Sequence, residues 1–384
     1  METDQIIIDL KLESLEIGNS TNYLTHNFHP YPAKFVPKVP NSTILAFTKQ
    51  GETILDPFCG CGTTLVEAKL LNRNAIGVDL NPIAVLASKA KTTKISQYEI
   101  HKINRVVESA RKDVYKYYSS KLIVDTEVIP KFDNINHWFQ NNVISELAII
   151  KSHIKKVEDE KLRNYLFTAF SAIIVNVSNQ ESDTRFAAIN KKIEQFKTID
   201  EFEKKIIDMN KRITEFSALA SDSKISAYLA DSSNLNFIDD DSIDHIVTSP
   251  PYANTYDYYL YHKFRIQWLD YNLKEFQDNE IGSRNRHSSK KEDISTFEDS
   301  MLICLREMNR VLKRGKIAVI VIGDSVIRGE MIRANTIINK IANQSNFAVI
   351  KEISYPLEKV SRMFNPKFTT RNKLEYIIFL KNLK

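Results

Sequence analysis

Short apolar runs, rich in Ile and Val and bounded by turn residues or charges, recur along the chain at strand length. They are Thr53 to Asp56, Ala75 to Asp79, Ile225 to Ala230, Ile243 to Thr248, Ile317 to Ile322, Phe347 to Ser354, and Leu374 to Leu380. Such runs read as strands. The fifth, Ile317-Ala318-Val319-Ile320-Val321-Ile322, is almost wholly apolar, as a central strand covered on both faces must be. Helical patterns lie between them: Leu65 to Leu71, Pro82 to Ala90, and Met301 to Leu312. This alternation predicts a doubly wound α/β sheet. No helical pattern separates the last two strands, so they are expected to pair antiparallel.

The alternation stops between residues 125 and 222. Ile144, Leu147, Ile150, Ile154 and Val157 recur at helical spacing. So do Leu162, Leu166, Ala169 and Ile173, and then Phe202, Ile206, Met209, Ile213 and Phe216. A helical insertion between the second and third strands is expected. It divides the chain into 1–124 (first part of the sheet domain), 125–222 (insertion) and 223–384 (second part). The polar stretch Ser178 to Arg185 reads as a loop or helix junction, and Gln277 to Lys291 as irregular and basic. There is no internal repeat and no low-complexity tract.

Composition narrows the class. The 384 residues are 43% hydrophobic and 26% charged, which suits a soluble globular protein. No uncharged apolar run approaches the ~20 residues needed to span a bilayer. The acidic start, Met1-Glu2-Thr3-Asp4-Gln5, lacks the basic and apolar regions of a secretory signal, so the expected address is the cytoplasm. Three cysteines do not make a disulfide framework. Cys59 and Cys61 have no Cys/His cluster around them in sequence, so no metal is expected. A net charge of +5 permits a polyanionic partner without demanding one.

The chemistry concentrates at strand ends, where open α/β sheets bind ligands. The first strand delivers Asp56 into Pro57-Phe58-Cys59-Gly60-Cys61-Gly62-Thr63-Thr64. Gly60 and Gly62 allow close backbone approach or positive φ. Thr63 and Thr64 are expected to cap the following helix. The second strand ends in Gly77-Val78-Asp79-Leu80-Asn81-Pro82, where a carboxylate can accept from both hydroxyls of a ribose. Asp231-Ser232, after the third strand, is placed to meet an adenine amino group. Together the three strand ends offer three carboxylates around one nucleoside-sized site. Leu65 stands where a dinucleotide fingerprint needs its third glycine, and no Walker Gly-Lys-Ser/Thr follows, which disfavours nicotinamide cofactors and P-loop chemistry.

The fourth strand ends in Thr248-Ser249-Pro250-Pro251-Tyr252. Consecutive prolines fix φ and remove donors, leaving carbonyls aimed at fixed points, that of Pro250 above all. The Ser249 hydroxyl can accept a second hydrogen bond. Tyr252 can stack on a base swung out of a duplex. Such a loop suits transfer to an aromatic amino group, whose lone pair is shared with the ring. Alignment and oriented acceptors must supply the rate there.

These motifs resemble those of bacterial DNA amino-methyltransferases of the TSPPY type. His29-Pro30-Tyr31-Pro32-Ala33-Lys34-Phe35 is similar to the segment that precedes them in that family and lies near the methionine end of the cofactor. The resemblance covers residues near 26 to 90 and 226 to 384. It implies a seven-stranded Rossmann-like methyltransferase sheet, mostly parallel, with a C-terminal antiparallel hairpin. It implies S-adenosyl-L-methionine as cofactor, with Tyr31, Lys34, Asp56, Phe58, Gly60, Gly62, Thr63, Asp79, Leu80, Asn81, Asp231 and Ser232 around it. Ser249, Pro250, Pro251 and Tyr252 become the catalytic loop.

In that family Ser in the first loop position goes mostly with N4 of cytosine, and Asp with N6 of adenine. Ser249 therefore points to an N4-cytosine methyltransferase acting on double-stranded DNA by base flipping. A restriction-modification or related defence system, with a cognate restriction endonuclease, is the expected setting. Adenine N6 is the runner-up. An RNA guanine-N2 methyltransferase is a further alternative, against which the short segment before His26 counts. A catalytically inactive nucleic-acid-binding module is another, against which the intact motifs count. A covalent C5 mechanism needs a Pro-Cys nucleophile, and no cysteine lies near Ser249.

The region that reads the target site does not stand out. The insertion and the irregular stretch after Tyr252 are the candidates, with Arg185, Arg284, Arg286, Lys290 and Lys291 as DNA contacts. Arg pairs with guanine edges and Lys mainly with phosphates. Tyr256, Tyr258, Tyr259 and Tyr261 add an aromatic cluster, and the stretch Arg362 to Arg371 is a further candidate for the backbone.

Overall fold

In the computed structural model, which describes residues 21–289, 292–357 and 372–384, all seven predicted strands join one sheet. They are β1 (Thr53–Asp56), β2 (Asn74–Asp79), β3 (Ile225–Leu229), β4 (His245–Thr248), β5 (Ile317–Gly323), β6 (Phe347–Pro356) and β7 (Leu374–Asn382). Their spatial order is β6–β7–β5–β4–β1–β2–β3. The five from β5 to β3 are parallel, while β7 runs antiparallel to both neighbours, so the last two strands do form a hairpin.

Alternation along β5 explains its wholly apolar sequence. Ile317, Val319 and Val321 join a cluster on one face with Val39, Ile44 and Phe379. Ala318, Ile320 and Ile322 join another with Met301, Leu305 and Ile338. A strand buried on both sides has no polar face to present. Helices α1 (Lys38–Phe47), α2 (Thr63–Leu70) and α3 (Pro82–Thr92) flank the early strands, and α8 (Ile294–Val311) and α9 (Ala334–Asn343) the late ones.

Between α3 and β3 stand α4 (Gln97–Tyr118), α5 (Asn141–Lys155), α6 (Glu160–Ile173) and α7 (Lys197–Leu219). The periodic residues of α5 to α7 bury against each other, and Ile103, Val107 and Val114 of α4 join them. Phe196 precedes α7 at φ +67° and its side chain caps nothing. Glu146 of α5 serves instead, accepting from the amides of Phe196 (2.7 Å) and Ile199 (3.0 Å) and from the Tyr118 hydroxyl (2.7 Å). Three donors offset the desolvation of this buried carboxylate.

The polar stretch near 178–185 is not simply a loop. Gln180–Ser182 pairs antiparallel with Arg185–Ala188, and Asp183 between them takes the Arg265 guanidinium. The stretch after 277 begins inside a helix, Leu273–Asn279. Lys290, Lys291 and the stretch from Arg362 to Arg371 lie outside the described residues. Among the described residues no helix is long and apolar enough to cross a membrane.

Chain order sets where a ligand can sit. From β1 the chain steps outward to β2 and β3; from β4 it steps the other way, to β5 and the hairpin. The switch point is the crevice between β1 and β4, which pair directly with Ile54 opposite His245 and Leu55 opposite Ile246. Asp56 ends one strand and Thr248 the other, so the two motifs straddle that crevice.

Candidate active site

The turn after β1 is fixed by carboxylates. Asp56 accepts from the Phe58 amide at 3.2 Å and from the Thr248 hydroxyl at 2.6 Å, which ties β1 to β4 at the root of the proline loop. Asp79 accepts from the Gly60 amide with one oxygen and from the Asn81 amide with the other, both at 2.8 Å. One side chain thus stitches two turns together and keeps lone pairs for other donors. Asn81 caps α3 through the Ile83 amide (3.0 Å) and donates to the Tyr31 hydroxyl at 3.2 Å.

Gly62 takes the N-cap of α2 at φ +81°, and no side chain caps that helix. The expected capping by Thr63 and Thr64 is therefore corrected: both sit inside the first turn. The cap demands a left-handed backbone that glycine adopts cheaply and threonine does not. A Cβ on Gly62 would also lie 2.6 Å from Ser88 Oγ. Cys59 and Cys61 are buried free thiols filling the turn, and among the described residues no group of three His, Cys, Asp or Glu is arranged to hold a metal.

Two cavities open onto this crevice. The first is lined by Tyr31, Lys34, Asp56, Phe58, Gly60, Thr63, Asp79, Leu80, Asn81, Asp231 and Ser232, together with Ser249 and Pro251. Of the residues predicted around a cofactor, Gly62 alone does not line it. The second is lined by Ser249, Pro250, Tyr252, Tyr256, Tyr355 and Glu375. Tyr31, Lys34, Thr63, Ser249 and Tyr258 border both. The start of the proline loop is therefore part of the wall between them.

Burial tunes the charges. Asp56 and Asp79 are each pushed up to about 6, because desolvation outweighs their hydrogen bonds. Burial brings the Lys34 ammonium down to about 8; it donates to the His26 carbonyl at 3.4 Å. The Tyr31 ring stacks on His262 at 4.9 Å. Ser232 donates to the Pro57 carbonyl, and Asp231 accepts from the Ser233 amide at 2.8 Å.

The predicted DNA contacts are scattered. Arg185 is 71% exposed and pairs with Glu181 at 2.9 Å. Arg284 is exposed, and Arg286 donates to the Asp278 carbonyl. None of the three lines either cavity. Of the tyrosine cluster, Tyr256 and Tyr258 line the second cavity, while Tyr259 packs into a small apolar core.

Two carboxyls at the site were not foreseen. Glu280 lines the first cavity, accepts from the amides of Tyr258 (2.7 Å) and Tyr259 (3.4 Å), and is pushed up to about 8 by burial. Its irregular polar surroundings gave no signal. Glu375 lines the second cavity and did carry one: it is the sole charged residue in the apolar run Leu374 to Leu380.

A family model for DNA methylases of the N6/N4 type matches residues 12–90 and 243–384, which hold both motifs and make up more than half the chain. The chain belongs to the N6/N4 DNA methylase family. The match omits the stretch with α4 to α7 and β3. The chain is 28% identical over 304 residues to the type II methyltransferase M.MvaI of Kocuria varians, covering 71% of this chain and 65% of that one. It is 23% identical to M.MjaII of Methanocaldococcus jannaschii, covering 94% and 82%, and 24% identical to M.BsoBI of Geobacillus stearothermophilus, covering 73% and 60%.

The cofactor of this family is S-adenosylmethionine, and the first cavity fits it. Asp79 and Asp231 keep acceptor capacity at adjacent strand ends, Gly60 at φ +49° brings backbone to the cavity wall without a side chain, and the half-buried Lys34 ammonium offers a cation for a carboxylate.

Proposed function

We propose that this DNA methylase transfers a methyl group to the N4 amino group of cytosine in double-stranded DNA, with the base swung out of the helix into the second cavity. The observation that carries the reading is the shared wall: Ser249 borders both cavities, and Thr248 before it is bonded to Asp56.

When bound, S-adenosylmethionine would supply an electrophilic methyl carbon whose leaving group is a neutral thioether. Asp79 would accept from the ribose hydroxyls, Asp231 from the adenine amino group, and Tyr31 and Lys34 would hold the methionine end. The Pro250 carbonyl and Ser249 hydroxyl accept the two amino protons of the base, which draws the nitrogen toward tetrahedral geometry and frees its lone pair. The new N–C bond would form as the methyl–sulfur bond breaks, and one amino proton would pass to solvent. Pro251 stiffens the loop, and Tyr252 stacks on the base. Positioning and fixed acceptors supply the rate. A neutral hydroxyl at position 249, where an aspartate would favour adenine, supports cytosine.

The helical stretch 125–222 and the basic segment after Tyr252 read the site, with Arg185, Arg284, Arg286, Lys290 and Lys291 on the DNA. The type II relatives support a place in a restriction-modification system, and the reading sets the chain in the cytoplasm beside a cognate endonuclease. Single-molecule sequencing of DNA from cells expressing the chain tests this directly. It should show N4-methylcytosine in one short context. N6-methyladenine would overturn the base assignment, and label passing from the cofactor to RNA alone would overturn the substrate.

A further inference from the structure

Tyr252 does not hang freely from the proline loop. Its ring lies against Gly323, the last residue of β5: a Cβ built there would sit 2.6 Å from Tyr252 Cε2 and 3.0 Å from Cδ2. Its hydroxyl donates to Glu375 Oε1 at 2.6 Å. Gly323 and Glu375 are direct register partners across the antiparallel β5–β7 pair. A floor and an anchor for one ring thus stand side by side on two strands, more than fifty residues apart in the chain.

We propose that Gly323 and Glu375 form a seat that fixes the plane of the Tyr252 ring, making Glu375 a positioning residue for base stacking. The inference rests on the reading that the second cavity receives the flipped base.

The seat accounts for a costly choice of residue. Glu375 is only 8% exposed, and among the described residues the groups that act on its carboxyl are phenols, not cations. An aliphatic side chain would bury there without penalty, whereas a carboxyl must be given donors. The donors are phenols: Tyr252, and Tyr355 at the end of β6, which also hydrogen-bonds to it. Both tyrosines line the second cavity beside it. Glycine completes the arrangement, since any side chain at 323 would push the ring off the sheet. A ring already held in plane loses no torsional freedom when a base arrives, which is the benefit of preorganisation.

The test uses the full-length chain with the variants E375L, E375Q, Y252F and G323A. Turnover is read on a duplex carrying the site found by sequencing with its natural target base, and emission on a second duplex with 2-aminopurine at the target position. E375L and G323A should lower kcat roughly tenfold to a hundredfold, the scale of one lost charge-assisted hydrogen bond. They should dim the 2-aminopurine emission and leave cofactor affinity intact. E375Q keeps an oxygen acceptor for the phenol and should recover most of the E375L loss. Y252F should add no further loss in the E375L background.

Wild-type turnover and emission in E375L would overturn the seat, as would E375Q as damaged as E375L, or E375L losing cofactor affinity in step with turnover. In each case the unmodified chain still methylates DNA and the proposed function stands. Dark 2-aminopurine bound to the unmodified chain, while the natural duplex is methylated, would instead strike the base-flipping reading beneath it.

Discussion

The two cavities are built by different means. The turns that floor the first are held mainly by short-range bonds, Asp56 to the Phe58 amide, Asp79 to Asn81 and Asn81 to Ile83, with Asp79 also tying in Gly60 from the turn before it. The second is assembled from Tyr31, the proline loop, Tyr355 and Glu375, which only the complete sheet brings together. The difference teaches that the floor of the first cavity is set largely by two turns, although Asp231, Ser249 and Glu280 complete its wall, while the second depends on the whole sheet. The two should separate on mutation. Ser249→Ala or Tyr252→Ala should lower kcat by about a hundredfold to a thousandfold, as removal of one oriented catalytic group does. Equilibrium binding of labelled cofactor to the same variants should be unchanged. A parallel fall in both quantities would erase the distinction.

The converse substitution tests the other side. Asp79→Ala removes the acceptor for Gly60 and Asn81 and, in the proposed reading, for the ribose. It should weaken cofactor binding by roughly tenfold to a hundredfold, with kcat largely restored at saturating cofactor. Asp79→Asn keeps one acceptor oxygen and should fall between. An alanine variant with full affinity would take Asp79 out of the site.

The same contrast explains what was legible in the sequence. The seven strands were, because their β-branched runs are short and sharply bounded. The turn residues were, because a left-handed glycine and a strand-end carboxylate are written locally. Glu375 was not placed, because its partner is fixed by strand register with Gly323 and by a loop from another part of the chain. Helix α4 was missed because its buried stripe, Ile100, Ile103, Val107, Ala110 and Val114, is narrow within a charged segment. The threonine caps were misread because propensity favours Thr at an N-cap, while the tight turn required the left-handed Gly62 there. Arginine identity alone could not say that Arg185 sits on a hairpin paired with its own neighbour.

A smaller effect follows from charge. Asp56 and Asp79, at about 6, lie above the ordinary carboxylate value, so the folded protein without cofactor holds their protons more tightly than the unfolded chain. Their contribution to stability is fully present below about pH 4 and is lost as pH rises through about 6. Cofactor binding runs the other way, since hydroxyl donors need the ionised form. Affinity should decline below pH 6 by up to about tenfold per pH unit for each group that must ionise. Lys34, brought down to about 8, sets the alkaline limb as it loses its charge. Calorimetric titration across this range should give a bell between the two limbs. A flat profile would mean that neither carboxylate takes part in cofactor binding, and would return the first cavity to mere packing.

The smallest change probes the join itself. Thr248→Val keeps the shape of the side chain and removes its 2.6 Å hydrogen bond to Asp56, leaving that carboxylate the Phe58 amide. Stability at neutral pH should drop by about 1–2 kcal/mol in denaturant unfolding. Burial already raises Asp56, and losing a donor to its ionised form raises it further, so the acid limb of cofactor binding should move to higher pH. The substitution touches the strand that carries the proline loop, yet its signature should appear on the cofactor side. A shifted limb with little change in kcat would show the two cavities joined through Asp56. An unmoved limb with reduced kcat would instead place the role of Thr248 in holding the loop.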